Sequence, residues 1–224
     1  MATAPDAAPG EVEVRLWDGP VRLVHWGFVL LIPAMWASAE FGQMQAHRAM
    51  GYAALFLLLF RLYWGVAGSA TARFASFVRG PGAILRYVRS GATVIGHNPL
   101  GALSVVALLA LLGLQIGLGL IAQDTDGEFA GPLARLVSYE TSRLAGDWHE
   151  AMFNLLLVLI ALHVAAILFY LIVRRDNLVR PMLTGRKRVG TTVEQPQAGS
   201  AGHAIGGVVL SAAVTAWIAA GAPL

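Results

Sequence analysis

The segment DWHEAMFNLLLVLIALHVAAILFYLIV, from Asp147 to Val173, is apolar over almost its whole length and carries two histidines. About 20 apolar helical residues cross the hydrocarbon core of a bilayer, so this segment is long enough to span a membrane. His149 and His163 are 14 positions apart. At about 100° and 1.5 Å per residue, both imidazoles project from one helix face, about 21 Å apart along its axis. Polar rings inside a membrane need binding partners, and these two indicate a functional site.

The same hydropathic pattern recurs along the chain. Of the 224 residues, 57% are hydrophobic and 13% are charged, whereas soluble domains have roughly 25% charged residues. We therefore predict an all-α membrane protein, a four-transmembrane-helix bundle with a fifth, less strongly apolar C-terminal helix. We expect a polar N-terminal tail at 1–14, the transmembrane domain at 15–188, and a linker with the C-terminal helix at 189–224. The predicted spans are Val21–Ala39, His47–Ala67, Leu100–Ala122, Trp148–Val173 and Ala204–Ala220.

The basic residues predict the orientation of the spans. With the N-terminus in the cytoplasm, 13 arginines and lysines lie on the inner side and 3 arginines lie outside, which follows the positive-inside rule. Fifteen arginines against one lysine, with abundant alanine and glycine, suggest a GC-rich bacterial genome. We therefore expect a multi-pass protein of the bacterial inner membrane. The three outer residues are Arg48, Arg135 and Arg143.

Local sequence signals mark where two of the spans begin. Asn98 followed by Pro99 is typical of an N-cap and a first helical residue. Asp147 followed by Glu150 matches a capping box, which predicts that the fourth span starts at Asp147. His97 is expected in an inner loop, where it would cap a helix or contact a bound ligand rather than bind a metal.

Depth in the membrane pairs four of the histidines. His25 lies early in an outward-running span, and His47 begins the inward-running span that follows. His47 and His149 are therefore expected together near the outer surface, and His25 and His163 together toward the inner surface. The other pairings would require side chains to meet across most of the bilayer.

Two histidine pairs on facing helices are suited to two b-type haems. Two neutral imidazoles bind a haem iron from both sides and leave no open position for a substrate, so the expected chemistry is electron transfer. Gly51, one turn beyond His47, leaves space for a flat macrocycle. We expect Arg22, Arg48 and Arg61 to contact haem propionates near the membrane surfaces. The predicted axial ligands of the haem irons are His25, His163, His47 and His149.

The absence of cysteine narrows the chemistry further. It excludes disulfides, cysteine-bound iron–sulfur clusters and the covalent attachment of c-type haem, so both haems are expected to be non-covalent. A histidine-lined metal transporter stays open as an alternative of another class. Such transporters usually place carboxylates beside the histidines, and no Asp or Glu lies inside the predicted spans beyond the first turn of the fourth.

The pieces GPVRLVHW, HRAMGY, FRLYWGVAG, GHNPLG, DWHEAMF, LHV and RRDNLVRPMLTGRK occur in this order between Trp17 and Lys187. In these pieces the chain resembles the family of bacterial cytochrome b561 and nickel–iron-hydrogenase b-type subunits. The resemblance implies a four-helix bundle with two b haems and places haem ligands at the same four histidines. It also implies electron exchange with the quinone pool and with a redox partner.

From these patterns we predict a transmembrane di-haem b-type cytochrome that transfers electrons between the quinone pool and a periplasmic redox partner such as a c-type cytochrome. The alternative among membrane cytochromes b is the membrane-anchoring cytochrome b subunit of a hydrogenase or related dehydrogenase. Hydrogenase-type subunits have a longer connection between the first two spans, which favours the stand-alone cytochrome. A quinone oxidoreductase activity is left open. Membrane lipid is an expected partner, and nucleic acid is not.

The outer connections are acidic and offer a docking surface for a basic redox protein. The alternative is that these acids only cap helices and complete the charge asymmetry across the membrane. The residues concerned are Glu40, Asp124, Asp126, Glu128, Glu140, Asp147 and Glu150.

Overall fold

The computed structural model describes residues 11–90, 96, 98–126, 129–190 and 194–222. Five of its helices are long and apolar enough to cross a membrane, which confirms the four predicted spans and the fifth C-terminal helix. In chain order the elements are β1 Glu11–Arg15, α1 Gly19–Glu40, α2 Met44–Ala67, α3 Phe74–Phe77, α4 Pro81–Ser90, α5 Pro99–Ile121, a 3₁₀ turn Ala134–Leu136, α6 Tyr139–Ile172, α7 Val179–Thr184, β2 Arg186–Gly190 and α8 Ala201–Ala219.

The helix-start signals have different outcomes. Asn98 caps α5 as predicted, because its side-chain oxygen accepts the Gly101 N–H at 2.8 Å and Pro99 is the first helical residue. The predicted start of the fourth span at Asp147 is wrong. Ser138 caps α6 instead, and Asp147 forms an i,i+4 ion pair with Arg143 at 3.3 Å.

The early start makes α6 the longest helix described. Its 34 residues extend about 51 Å, whereas the hydrocarbon core of a bilayer is about 30 Å thick. No proline lies between Ser138 and Asp147, so the helix that begins after Ser138 continues through Asp147. His149 therefore lies in the third turn of α6 rather than in its first.

The long helices pack in sequential pairs. α1 lies along α2, α5 lies along α6, and α8 covers another face of α2, with a smaller contact between α2 and α5. The remaining surfaces are strongly apolar: Leu30 is 71% exposed and Val66 is 74% exposed, as expected of side chains that face lipid. The buried core is formed by Val24, Phe28, Leu57, Leu58, Phe60, Trp64, Leu111, Leu112 and Leu156, among others.

A two-stranded antiparallel sheet closes one end of the bundle. Glu11 pairs with Gly190 and Arg15 pairs with Arg186. The predicted domain boundaries at residues 14 and 188 fall inside these two strands. The sequence pattern did not predict the sheet, because each strand is short and its partner lies at the other end of the cytochrome domain. We call this end of the bundle the sheet end, and the end with the α5–α6 connection the loop end.

At the sheet end, the start of α1 is bound to the end of α7. Trp26 Nε1 donates to the Met182 carbonyl at 3.1 Å, and the Leu16 N–H donates to the Gly185 carbonyl at 2.8 Å. Gly185 has a φ of +80°, a conformation that glycine adopts without strain. These bonds fix the register of α1, and with it the depth of His25.

Candidate functional site

The structure places the four predicted histidines in two pairs. The ring centroids of His47 and His149 are 6.1 Å apart near the loop end, and those of His25 and His163 are 6.5 Å apart toward the sheet end. These are the two pairings that depth predicts. We call them the loop-end pair and the sheet-end pair.

Each pair spans a gap between helices that is wide enough for a metal ion. Two metal–imidazole bonds of about 2.0 Å, together with the two ring radii, put the centroids roughly 6 Å apart. The described parts of α1 and α2 make at most sparse backbone contact with α6. The two imidazoles of each pair therefore face each other across a gap between helices that are not closely packed.

The loop-end pair has its ring nitrogens assigned by their hydrogen bonds. Nδ1 of His47 lies 2.9 Å from the Met35 carbonyl oxygen, and Nδ1 of His149 lies 2.8 Å from the Gln115 carbonyl oxygen. A carbonyl only accepts, so each Nδ1 carries the proton and each Nε2 keeps a free lone pair. A neutral imidazole oriented in this way is a metal ligand.

The sheet-end pair is less firmly bound. Nδ1 of His163 is 3.4 Å from the Ser104 hydroxyl oxygen, close to the limit of a hydrogen bond. Nδ1 of His25 is buried and has no hydrogen-bond partner among the described residues. The His25 ring is instead positioned by an edge-on contact with Trp26, whose ring centroid is 5.1 Å away.

A glycine beside the loop-end pair leaves room for a flat ligand. A Cβ atom at Gly51, one turn after His47, would meet one methionine methyl group, 3.8 Å away on Met35. The donor set and this open space fit a b-type haem, in which an iron accepts one imidazole on each face of the macrocycle. The absence of cysteine fits a haem held without covalent bonds.

Residues 16–185 match the family model for prokaryotic cytochrome b561. The chain belongs to the prokaryotic cytochrome b561 family. It is therefore a prokaryotic membrane cytochrome that binds b-type haem and functions in electron transfer. The match contains both histidine pairs and ends before α8. No curated protein and no solved structure matches the chain significantly.

The three arginines predicted near propionates have different surroundings in this cytochrome. Arg22 donates to the carbonyls of Met182 and Leu183, so its guanidinium lies against the end of α7. Arg48 is exposed, one residue after His47. Arg61 is only 5% exposed.

Arg61 is a buried cation on α2. Its guanidinium donates to the Ala72 carbonyl across 3.4 Å and lies over the Phe74 ring, 4.8 Å from the centroid. A guanidinium has five N–H donors, and the negative charge of Asp18 also acts on it. Burying such a group costs free energy, and a buried charge of this kind therefore indicates a binding or electrostatic role.

Three contributors to the site were not predicted. The carbonyls of Met35 and Gln115 are backbone groups, so no residue type in the sequence marks them. Gly119 leaves room for His149, since a Cβ there would lie 2.9 Å from the ring carbon Cε1. Its only sequence signal is its place one turn after Gln115. Of the remaining histidines, His203 is exposed at the start of α8, and His97 lies outside the described residues.

Proposed function

We propose that this cytochrome holds two b haems, one between His47 and His149 and the other between His25 and His163. The observation that carries the proposal is that α6 supplies one imidazole to each pair from a single face. A haem so ligated supplies one-electron Fe(III)/Fe(II) chemistry and offers no open iron position for a substrate. The protein then transfers electrons and does not catalyse the cleavage of bonds in a substrate.

Residues of the chain would position the two haems and neutralise their propionates. The Met35 and Gln115 carbonyls hold the loop-end imidazoles in the metal-binding tautomer. α6 fixes the two sites about 21 Å apart along the bundle axis. Arg48 at the loop end and Arg61 toward the sheet end are the cations placed to neutralise propionates.

We further propose that electrons pass between the quinone pool and a periplasmic redox protein such as a c-type cytochrome. The support is the charge distribution, with 13 of the 16 basic residues at the sheet end, which we assign to the cytoplasmic side of the inner membrane. The N-terminus would then be cytoplasmic and the loop end periplasmic. Only residues 41–43 separate α1 from α2, which favours a stand-alone cytochrome over a hydrogenase subunit.

Haem content and redox titration of single-histidine variants test the ligand assignment. We expect about two b haems per chain in a pyridine haemochrome assay, all extractable with acidified solvent. His47→Ala and His149→Ala should each remove the same redox component, and His25→Ala and His163→Ala should remove the other. His203→Ala is the matched control and should leave both components in place. Loss of the same component from His25→Ala and His149→Ala would refute the assignment.

A further inference from the structure

A cleft at the sheet end lies outside both histidine pairs. It has a volume of about 420 Å³ and lies between the start of α1, the α2–α3 connection, the α7–β2 junction and the linker before α8. Ligand sites in proteins have volumes of about 300–1,000 Å³, so this sheet-end cleft is large enough for a ligand. Three of the residues that line it are the arginines Arg15, Arg22 and Arg186. We propose that the cleft binds a phosphate group, and that this phosphate belongs to the headgroup of an anionic phospholipid.

Two of the arginines face each other across the sheet. Arg15 on β1 is paired directly with Arg186 on β2, so their side chains project from the same face, with Cβ atoms about 5 Å apart. Like charges at directly opposed positions destabilise an antiparallel pair. An anion between the two guanidinium groups would replace this repulsion with attraction. The arrangement therefore indicates a negative ligand at this edge of the cleft.

The two opposed arginines differ in what else they contact. Arg186 forms an ion pair with Glu13 at 3.1 Å, and both side chains are about half exposed. Arg15 is also exposed, and it forms none of the ion pairs found among the described residues. Because Glu13 compensates part of the charge of Arg186, Arg15 is the cation that a ligand can approach most easily.

Arg22 is held in place by backbone groups. Its Nε donates to the Met182 carbonyl at 3.2 Å, and its Nη2 donates to the Leu183 carbonyl. These bonds use two of the five N–H donors of a guanidinium, and neutral acceptors do not cancel its charge. The position of this cation is therefore fixed before a ligand arrives, which reduces the entropy cost of binding.

The described lining of the cleft contains one acid, and both of its oxygens are engaged. Asp18 accepts the Val21 N–H at 2.8 Å and the Trp64 indole N–H at 2.7 Å. Ser69 and Thr71 add hydroxyl donors, since their oxygens are 3.5 Å apart and this long contact uses at most one of the two O–H groups. Three arginines against one aspartate leave the lining with an excess of positive charge. Such a lining suits an anion with several acceptor oxygens, and phosphate is of this kind.

The linker before α8 closes the outer side of the cleft. Gln195 accepts the Arg15 N–H at 3.2 Å through its Oε1 and donates to the Glu13 carbonyl at 2.8 Å through its Nε2. Further along the linker, the Gln197 carbonyl accepts the Ala70 N–H at 3.0 Å. The linker lies beyond the part of the chain that matches the family model, so the match does not account for the cleft.

The position of the cleft favours a lipid as the source of the phosphate. Arg22 stands in the first turn of α1, and Leu23, the next residue, is 63% exposed. On α2, Val66 is 74% exposed, three positions before Ser69 of the cleft. The cleft therefore lies where the apolar surface of the spans begins. Basic pockets between membrane spans bind anionic lipid headgroups, and the acyl chains would lie along these exposed apolar side chains.

Lipid retention by the purified full-length protein tests the proposal. We would delipidate the protein in detergent, add phosphatidylglycerol or phosphatidylcholine, and measure the bound lipid by native mass spectrometry. The wild type should retain phosphatidylglycerol in preference to phosphatidylcholine. Arg15→Gln and Arg186→Gln should each weaken phosphatidylglycerol binding about 5–10-fold. Arg180→Gln changes an exposed arginine at the same end but outside the cleft lining, and this matched control should bind as the wild type does.

A second measurement separates the lipid from soluble phosphate. Inorganic phosphate would be added to the delipidated protein at constant ionic strength, with chloride as the control, and thermal unfolding followed by tryptophan fluorescence. Stabilisation by phosphate that Arg15→Gln loses, with no preference for phosphatidylglycerol, would overturn the lipid as the source and keep the phosphate site. Equal loss of phosphatidylglycerol from Arg15→Gln and Arg180→Gln would show only general attraction to a basic surface and overturn the proposal. The absence of both the lipid preference and the phosphate effect would overturn it as well.

Discussion

Tyr87 and Tyr170 share a hydrogen bond of 2.6 Å between their hydroxyl groups, which ties the short helix α4 to the long helix α6. The Tyr170 hydroxyl also accepts from Asn98 Nδ2 at 2.8 Å, and Asn98 caps α5. Three helices therefore meet at one phenol. Because Tyr170 lies two turns beyond His163, this network supports the sheet-end pair.

Tyr87 makes the network sensitive to alkaline pH. Burial, followed by the hydrogen bond with Tyr170, raises the pKa of Tyr87 to about 12 from its ordinary value of 10.0. A raised folded-state pKa means that the stabilisation is complete below about pH 10 and is lost as the pH rises toward 12. We expect an ultraviolet titration to show one late-ionising tyrosine that is absent from Tyr87→Phe. That variant should also weaken the docking of α4 by about 1 kcal/mol, measurable as faster amide exchange in α4. Unchanged exchange in α4 would contradict a docking role.

Removing the buried cation should affect one haem only. A unit charge roughly 10 Å from an iron contributes about 1–2 kcal/mol at an effective dielectric constant near 20, which corresponds to about 40–80 mV for one electron. We expect Arg61→Gln to lower the sheet-end potential by this order. The exposed Arg48→Gln should shift the loop-end potential much less, because solvent screens its charge. Equal shifts of both components in Arg61→Gln would contradict the placement of Arg61 near the sheet-end pair.

The acids of the predicted docking surface have different surroundings. Asp124 accepts the Phe129 N–H within its own loop, Asp147 pairs with Arg143, and Glu128 lies outside the described residues. The exposed carboxylates without an ion pair in the described structure include Asp126, Glu140 and Glu150.

Neutralising these three carboxylates should slow electron exchange with a basic soluble cytochrome about 3–10-fold at low salt and flatten its ionic-strength dependence. Both haem potentials should stay nearly constant. Stopped-flow measurement of haem oxidation checks this, with Glu194→Gln at the sheet end as the control. An unchanged rate at low salt would exclude a docking role for these acids.

Packing of α8 depends on one glycine. A Cβ at Gly207 would lie 2.5 Å from the Tyr63 ring and 3.1 Å from the Phe60 ring. We expect Gly207→Val to separate α8 from α2 at a cost of about 1–3 kcal/mol and to leave the haem spectrum unchanged, because α8 lies outside both pairs. Gly206→Ala, whose Cβ would make an ordinary 3.5 Å contact with Tyr63, is the control. Limited proteolysis of the 194–200 linker would detect the separation.

Much of the architecture could be predicted because a bilayer imposes strong constraints on sequence. Spans of about 20 apolar residues are unmistakable, and alternating direction places His47 beside His149 and His25 beside His163 without further information. The start of α6 could not be predicted in the same way, since Ser138 and Asp147 both suit an N-cap and only packing decides between them. The hydrogen bonds of the Met35 and Gln115 carbonyls to the histidines could not be predicted either, because every residue has a carbonyl.

The pairing of β1 with β2 has a consequence for biosynthesis. Glu11 precedes all the long helices in the chain, yet its partner Gly190 follows 179 positions later. The sheet therefore cannot form until α1, α2, α5 and α6 have all been synthesised. A contact so distant in sequence is a late folding event, and it closes only when both strands emerge on the same side of the bilayer. A chain with one span inverted would leave β1 unpaired, exposing a free strand edge to cellular quality control.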